Sequence, residues 1–211
     1  MTGAKEIYEY HHTNSLRRGT SVLKDLRGAL LKEYVGTGKT VLDLGCRDGE
    51  LTETFVEGNV VTGVDVDDIA LEKVATRLGI ETIPCDLHGS WEELEGRVFD
   101  VIVAGEILEH LYFPKNIVTH VRGCLQERGV FIGTVPNAFS LKNRMRYFFL
   151  KKKHTPLADP THINHFTVQE LSDILKKEFS EVEIIGIGKA GIFAKWFPQL
   201  FAFDLFFVAK V

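Results

Sequence analysis

Glu106, Glu109 and His110 stand at i, i+3 and i+4 directly after the apolar run Phe99-Asp-Val-Ile-Val-Ala-Gly105. On a helix that spacing puts all three on one face. A histidine that titrates near neutral pH suits removal of a proton from an acceptor hydroxyl. Two further histidines, His162 and His165, follow in Thr161-His-Ile-Asn-His-Phe-Thr167. A second constellation speaks of a ligand. The run Thr40-Val-Leu-Asp43-Leu-Gly45-Cys46-Arg47-Asp-Gly49 ends in an acid and two glycines, and Asn59-Val-Val-Thr-Gly-Val-Asp65 ends again on a carboxylate. Strand, glycine loop, helix and a second strand closed by an acid make a nucleotide-binding unit. The glycines let backbone approach a ligand closely, and the second acid can accept hydrogen bonds from a ribose diol. An adenosine-containing ligand is expected.

The elements that must position these residues are legible in outline. Leu16, Val22, Leu23, Leu26, Leu30 and Leu31 recur at helical spacing and predict an amphipathic helix over 15–34. Strands are expected at 39–44, 59–65, 80–84, 98–103 and 128–135, with helices at 49–57, 68–78 and 114–126. Pro114 suits a first helical turn, and Thr167 with Glu170 has capping-box spacing for a helix over 167–177. Short apolar runs alternating with amphipathic segments imply a parallel sheet with helices on both faces. Two last strands, near 179–188 and 202–211, lack a helical crossover and are expected to pair antiparallel. Between Pro136 and that end, residues 137–164 carry Phe139, Arg144, Arg146, Tyr147, Phe148, Phe149 and Lys151–Lys153. Too short for a core of its own, this segment reads as a lid inserted into one domain spanning 1–211.

Composition narrows the function classes. A chain of 211 residues, 45% hydrophobic and 26% charged, suits a globular domain with a full core. Twenty-five basic against 29 acidic residues argue against dominant nucleic-acid electrostatics, while leaving room for a local basic patch. No stretch reaches the ~20 apolar residues of a membrane span and the N-terminus has no signal-like run, so the expected location is cytoplasmic. Cys46, Cys85 and Cys124 are few and far apart, which indicates neither a disulfide framework nor a zinc site.

Two apparent motifs do not hold. Gly38-Lys39-Thr40 ends like a phosphate loop, but Glu33 stands where the first glycine belongs, and the motif precedes its strand. Tyr147 and Lys151 have dehydrogenase spacing, yet sit in the aromatic-basic lid, and no Gly-x-Gly-x-x-Gly occurs near residue 45.

Over residues 35–211 the chain resembles class I S-adenosylmethionine-dependent methyltransferases of the small-molecule kind. Val41-Leu-Asp43-Leu-Gly45-Cys-Arg-Asp-Gly49 resembles the first motif of that family, Gly63-Val-Asp65 its ribose-binding acid, Pro84-Cys85-Asp86-Leu87 its adenine-contacting segment, and 99–110 its fourth strand and following turn. Arg47 departs from the family, which usually has glycine there. The resemblance implies a seven-stranded, mostly parallel, doubly wound α/β sheet with one antiparallel strand. It implies S-adenosylmethionine as cofactor, held by Asp43, Gly45, Cys46, Gly49, Asp65, Val66, Asp86, Leu87 and Glu106. Asp65 could instead cap the helix at 68–78, but Asp67 and Asp68 are better placed for that. Glu-x-x-Glu-His also resembles the metal-binding set of ubiquinone-biosynthesis O-methyltransferases and of small-RNA 2′-O-methyltransferases.

The expected reaction is O-methylation of a small-molecule acceptor, lipid-linked or sugar-like, entering under the lid, with His110 or His165 as general base. The alternative is a metal-dependent RNA 2′-O-methyltransferase holding a divalent ion on Glu106, Glu109, His110 and His165. A nicotinamide-dependent oxidoreductase and a non-catalytic cofactor-binding scaffold are the other classes weighed. Phe193, Trp196, Phe197, Leu200, Phe201 and Phe203 crowd 192–206, in part as core strand. The Lys195–Gln199 loop there offers an apolar patch to a partner or to a second copy in a homodimer, and the lid aromatics suit peripheral contact with a membrane.

Overall fold

The structure, a computed structural model, describes residues 23–211. Seven strands form one sheet: β1 (Thr40–Leu44), β2 (Val60–Asp65), β3 (Glu81–Pro84), β4 (Phe99–Gly105), β5 (Leu125–Pro136), β6 (Glu181–Ile187) and β7 (Asp204–Lys210), in the order β3-β2-β1-β4-β5-β7-β6. All neighbours pair parallel except β7, which runs antiparallel to both β5 and β6. The sheet is the mostly parallel one expected, with its single reversed strand near the chain's end.

Each central strand sorts its side chains by alternation. Leu42, Leu44, Ile102 and Ala104 point into one core, with Val118, Val121, Leu171 and Leu175 from α3 (Pro114–Gly123) and α5 (Val168–Leu175). Val41, Val101 and Val103 point into the other, under Leu31 and Val35 of α1 (Lys24–Val35). Both faces are therefore covered, as a parallel sheet requires. Local chemistry sets the helix ends. The carboxylate of Asp67 caps α2 (Asp68–Leu78) by accepting from the amides of Ile69 and Ala70, and Gly79 closes it in the left-handed conformation. Thr167 and Glu170 form the full capping box of α5.

Three expectations shift. Residues 49–57 form only a 3-10 turn at Thr52–Thr54. The Thr52 hydroxyl is drawn to Asp43 at 2.6 Å and that of Thr54 to the Leu51 carbonyl at 2.7 Å, and β-branched threonines are weak helix formers. In α1 the inward face is turned from the one predicted: Arg27, Gly28, Leu31 and Val35 are buried and Leu26 is exposed. Gly28 allows this, because a Cβ there would lie 2.6 Å from Thr54 Cγ2. The part of the predicted helix before residue 23 lies outside the described residues. Finally, part of 192–206 is strand as expected, since β7 begins at Asp204, but the loop expected at Lys195–Gln199 is instead two short helices, α6 (Ile192–Trp196) and α7 (Pro198–Phe201).

Candidate active site

The chain runs outward from β1 to β3 and then returns to place β4 on the other side of β1. Beyond the carboxyl ends of β1 and β4 the connections leave in opposite directions, which opens a crevice between them. Both constellations of the sequence lie at this edge.

On the β1 side, the turn after Leu44 is held by the sheet itself: the amides of Gly45 and Cys46 both donate to the Val64 carbonyl, at 2.8 and 3.1 Å. Gly45 has φ 67, and a Cβ there would overlap Ile107 at 2.0 Å, so this turn and the loop after β4 fit only around a glycine. Arg47 takes the left-handed conformation with φ 48, which costs about 1–3 kcal/mol for a residue other than glycine. Its amide donates to Asp65 Oδ2 at 3.0 Å while that of Asp67 donates to Oδ1 at 3.0 Å. Asp65, 9% exposed, is thus clamped at the tip of β2, with Val66 half-buried beside it.

Asp43 is buried, and burial pushes its carboxyl up to about 7 against the opposing hydrogen bond from Thr52. The Cys46 side chain turns inward against Gly63, Leu71 and Val74, and burial first, then the charges of Asp43 and Asp65, keeps it a thiol. After β3, the exposed Asp86 accepts from the His88 amide at 2.9 Å, whereas Leu87 packs into the core near Trp91.

The β4 side departs further from expectation. Residues 104–112 are not an α-helix: Glu106 sits in the left-handed conformation with φ 59, and only Leu108–His110 form a 3-10 turn. Glu109 and His110 therefore stay together on the turn, while Glu106 points away to another partner. Glu106 donates its amide to the Thr134 carbonyl at 3.0 Å and forms an ion pair with Arg27 of α1. Arg27, 1% exposed, also binds Asp204 Oδ2 through Nε at 3.0 Å and Nη2 at 2.6 Å. Burial works against the guanidinium's charge, but Glu106 and Asp204 outweigh it and hold Arg27 above its usual value. Burial raises the Asp204 carboxyl to about 7 in spite of Arg27.

Glu109 is buried with no hydrogen-bond partner on either carboxylate oxygen, and burial, then the charge of Glu106, raises it well above the usual range. His110 Nδ1 lies 2.9 Å from the Thr161 carbonyl. A carbonyl can only accept, so Nδ1 carries the proton and Nε2 the lone pair. Burial and the neighbouring His162 lower its pKa, which keeps the ring neutral at pH 7.

Residues 161–164 are stitched across this turn by the Asn164 amide on the Glu109 carbonyl at 2.9 Å and by the Asn164 side chain on the Leu111 carbonyl. This brings the His162 ring edge-on to His110 at 4.8 Å, and ligating atoms of Glu109, His110 and His162 lie within 4.8 Å of one another. The anticipated set of Glu106, Glu109, His110 and His165 is not the one assembled. Glu106 is engaged by Arg27, and His165 neighbours His162 but lines a groove of about 540 Å³ with Tyr112, Phe113 and Asn164. Arg27 and Asp204 escaped the sequence reading. The signals were an arginine on the 27/31/35 stripe and a lone acid opening the apolar run Leu205–Ala209.

The chain matches the methyltransferase domain family over residues 15–178 and belongs to that family, of the class I S-adenosylmethionine-dependent type. It is 32% identical to the ubiquinone biosynthesis O-methyltransferase of Pasteurella multocida over 118 residues, 47% of each chain. It is 33% identical to that of Vibrio atlanticus over 64% of this chain and 56% of the relative. The chain thus spans about half the length of these curated relatives. Among solved structures, a methyltransferase from Archaeoglobus fulgidus has a TM-score of 0.67 at 19% identity, covering 97% of this chain and 99% of the other. The Burkholderia thailandensis 1,6-didemethyltoxoflavin-N1-methyltransferase, solved with bound 1,6-didemethyltoxoflavin and S-adenosylhomocysteine, has a TM-score of 0.68 at 19% identity, covering 98% of this chain and 86% of the other.

Proposed function

We propose that this chain is an S-adenosylmethionine-dependent methyltransferase that transfers a methyl group to a hydroxyl of a small molecule, with His110 as the general base. The observation that carries the reading is His110 itself: a neutral, half-buried imidazole with its tautomer set by Thr161, on the turn that follows β4 at the crevice. The two curated relatives, though not the Burkholderia structure, are O-methyltransferases, which agrees with an oxygen acceptor. The residues present fit the cofactor, because Asp65 is clamped by two backbone amides where a ribose diol would lie.

Bound S-adenosylmethionine supplies a methyl group on a positively charged sulfur. Asp65 would accept from the ribose hydroxyls, the 45–49 loop and Asp43 would hold the amino-acid end, and the 85–87 turn would hold the adenine. Holding acceptor and methyl in line can contribute about 7–11 kcal/mol of the barrier. His110 Nε2 takes the acceptor proton as its oxygen attacks. The segment 137–164 forms the wall through which the acceptor enters, as a lid on one continuous domain. Asp65→Ala loses charge-assisted hydrogen bonds to the ribose, about 1.5–3 kcal/mol, and weakens S-adenosylhomocysteine in calorimetry accordingly. Turnover of labelled cofactor against phenols, sugars and carboxylates tests the reaction, and a His110→Ala variant at full rate would defeat the base assignment.

A second reading rests on Glu109. Two partnerless oxygens on a buried carboxylate beside two imidazoles fit a divalent ion. Glu109, His110 and His162 would hold it, and it would lower the pKa of the acceptor hydroxyl. Mn²⁺ binding by calorimetry, lost in Glu109→Gln, together with activity abolished by EDTA, would favour this reading and with it the RNA-type alternative.

A further inference from the structure

The carboxyl edge of the sheet carries a rim of exposed apolar side chains. Phe148 is 77% exposed and Leu150 95% exposed at the end of α4 (Leu141–Phe148), and Trp196 is 68% exposed on α6. The segments that carry them adjoin, since α4 packs against α7 and α7 against α6. Asn137, fully buried, fastens the joint: its Nδ2 donates to the carbonyls of Pro198 and Ala202 at 3.0 and 3.1 Å. The exposed rings of Phe193 and Phe197 both lean on Phe201, at 5.9 and 6.4 Å.

Charge is segregated onto the same two segments. Lys142, Arg144, Arg146 and Lys151–Lys153 stand between Asn137 and Ala158, and Lys189 and Lys195 between Gly188 and Phe203. Neither stretch contains a single Asp or Glu, in a chain with 29 acidic and 25 basic residues. Aromatic side chains set among lysines and arginines, without acids, match the headgroup region of a negatively charged bilayer: the rings seat at the interface and the cations meet lipid phosphates.

We propose that this rim is a docking face for an anionic phospholipid membrane. It lies at the mouth of the site, because Pro136 and Asp204, from which the two segments depart, face each other in register beyond the strand that precedes Glu106–His110. An amphipathic acceptor resident in the bilayer would enter from this side. Docking itself does not depend on the transfer chemistry and is read by binding alone.

The test is co-sedimentation of the full chain with vesicles of phosphatidylcholine alone and of phosphatidylcholine with phosphatidylglycerol. Binding is expected to the anionic vesicles only, weakening as salt is raised. Trp91 is buried and Trp196 exposed, so a blue shift of tryptophan emission on binding reports Trp196, and Trp196→Phe removes the shift. At about five-fold per lysine, Lys151→Gln, Lys152→Gln and Lys153→Gln together lower partitioning about a hundredfold. These side chains are exposed, so the melting temperature of the variants should match the parent's. The proposal is overturned if anionic vesicles do not bind at low salt, or if the triple variant binds as the parent does. It is equally overturned if Trp196 is already shielded in a lipid-free dimer, or if an RNA oligonucleotide, but no vesicle, engages these lysines.

Discussion

At the scale of single residues, the site is a set of side chains held in protonation states that water would not give them. Asp43 is the clearest case, since its carboxyl sits near pH 7 for want of solvent. A ligand bearing ammonium and sulfonium charges favours the ionised form, so binding should release a proton from Asp43 wherever the free protein still holds one. Affinity for S-adenosylmethionine is therefore expected to rise with pH up to about 7 and then level off. Calorimetry in buffers of different ionisation enthalpy reads the proton directly. Asp43→Asn should abolish the release, and a release that persists in that variant would place the proton elsewhere. His110 is shifted the other way, and its lowered pKa keeps the base competent below the ordinary histidine value. At saturating cofactor, the acid limb of kcat/KM for the acceptor should lie below pH 6.5, and His162→Asn, which removes a like charge, should move it upward.

At the scale of elements, α1 reaches across the sheet edge through one side chain. Arg27 joins the start of β7 to the residue after β4, so it ties these two elements together at one edge of the sheet. Removing one partner of a buried pair leaves the other charge without compensation, at about 3–5 kcal/mol. Arg27→Ala is expected to approach that cost in urea unfolding, reduced by whatever protonation Asp204 can take up. Arg27→Met with Asp204→Leu should recover part of it, because apolar replacement of the two fully buried partners removes their desolvation penalty while the partly exposed Glu106 is left to solvent. Recovery in the single variant alone would show that the pair does not hold α1. Asn137 plays the same part for α4 and α7, and Asn137→Ala should cost about 1–3 kcal/mol by stranding the Pro198 and Ala202 carbonyls.

For the whole molecule, the buried carboxyls set an unusual dependence of stability on pH. The folded pKa of Asp43 is raised from 3.8 to about 7, so its contribution is full below pH 3.8 and is lost as pH rises to about 7. Three pH units correspond to about 4 kcal/mol for this fully buried group. Glu109 and Asp204, raised chiefly by burial, act in the same direction. His110 and His165, lowered chiefly by burial, oppose them: their contribution is present above pH 6.5 and is lost as pH falls through their folded values. The carboxyls are more numerous and more deeply buried, so the ligand-free protein should melt at a higher temperature at pH 5.5 than at pH 7.5. Thermal scans check this, with Asp43→Asn expected to flatten the profile.

What the chain determined by itself was whatever repeats along it. Short apolar runs placed all seven strands to within about three residues, and their alternation with amphipathic segments also implied helices on both faces. Acids and glycines at strand ends marked the carboxyl ends of β1 and β2, since tight turns and strand tips are local matters. Sequence also named Glu109, His110 and His162, though not their grouping. Tertiary structure decided everything that depends on two distant segments meeting. The helical face predicted for Glu106, Glu109 and His110 never forms, because Arg27 from α1 draws Glu106 away and residues 161–164 bind across the turn. The same contact brings His162 instead of His165 to His110. Likewise, α1 buries an arginine and exposes Leu26, because two carboxylates separated by 98 positions in the chain converge on one guanidinium. A hydrophobic pattern reports which side of an element faces inward on average. It carries no information about a charge whose partner is supplied only when the sheet closes.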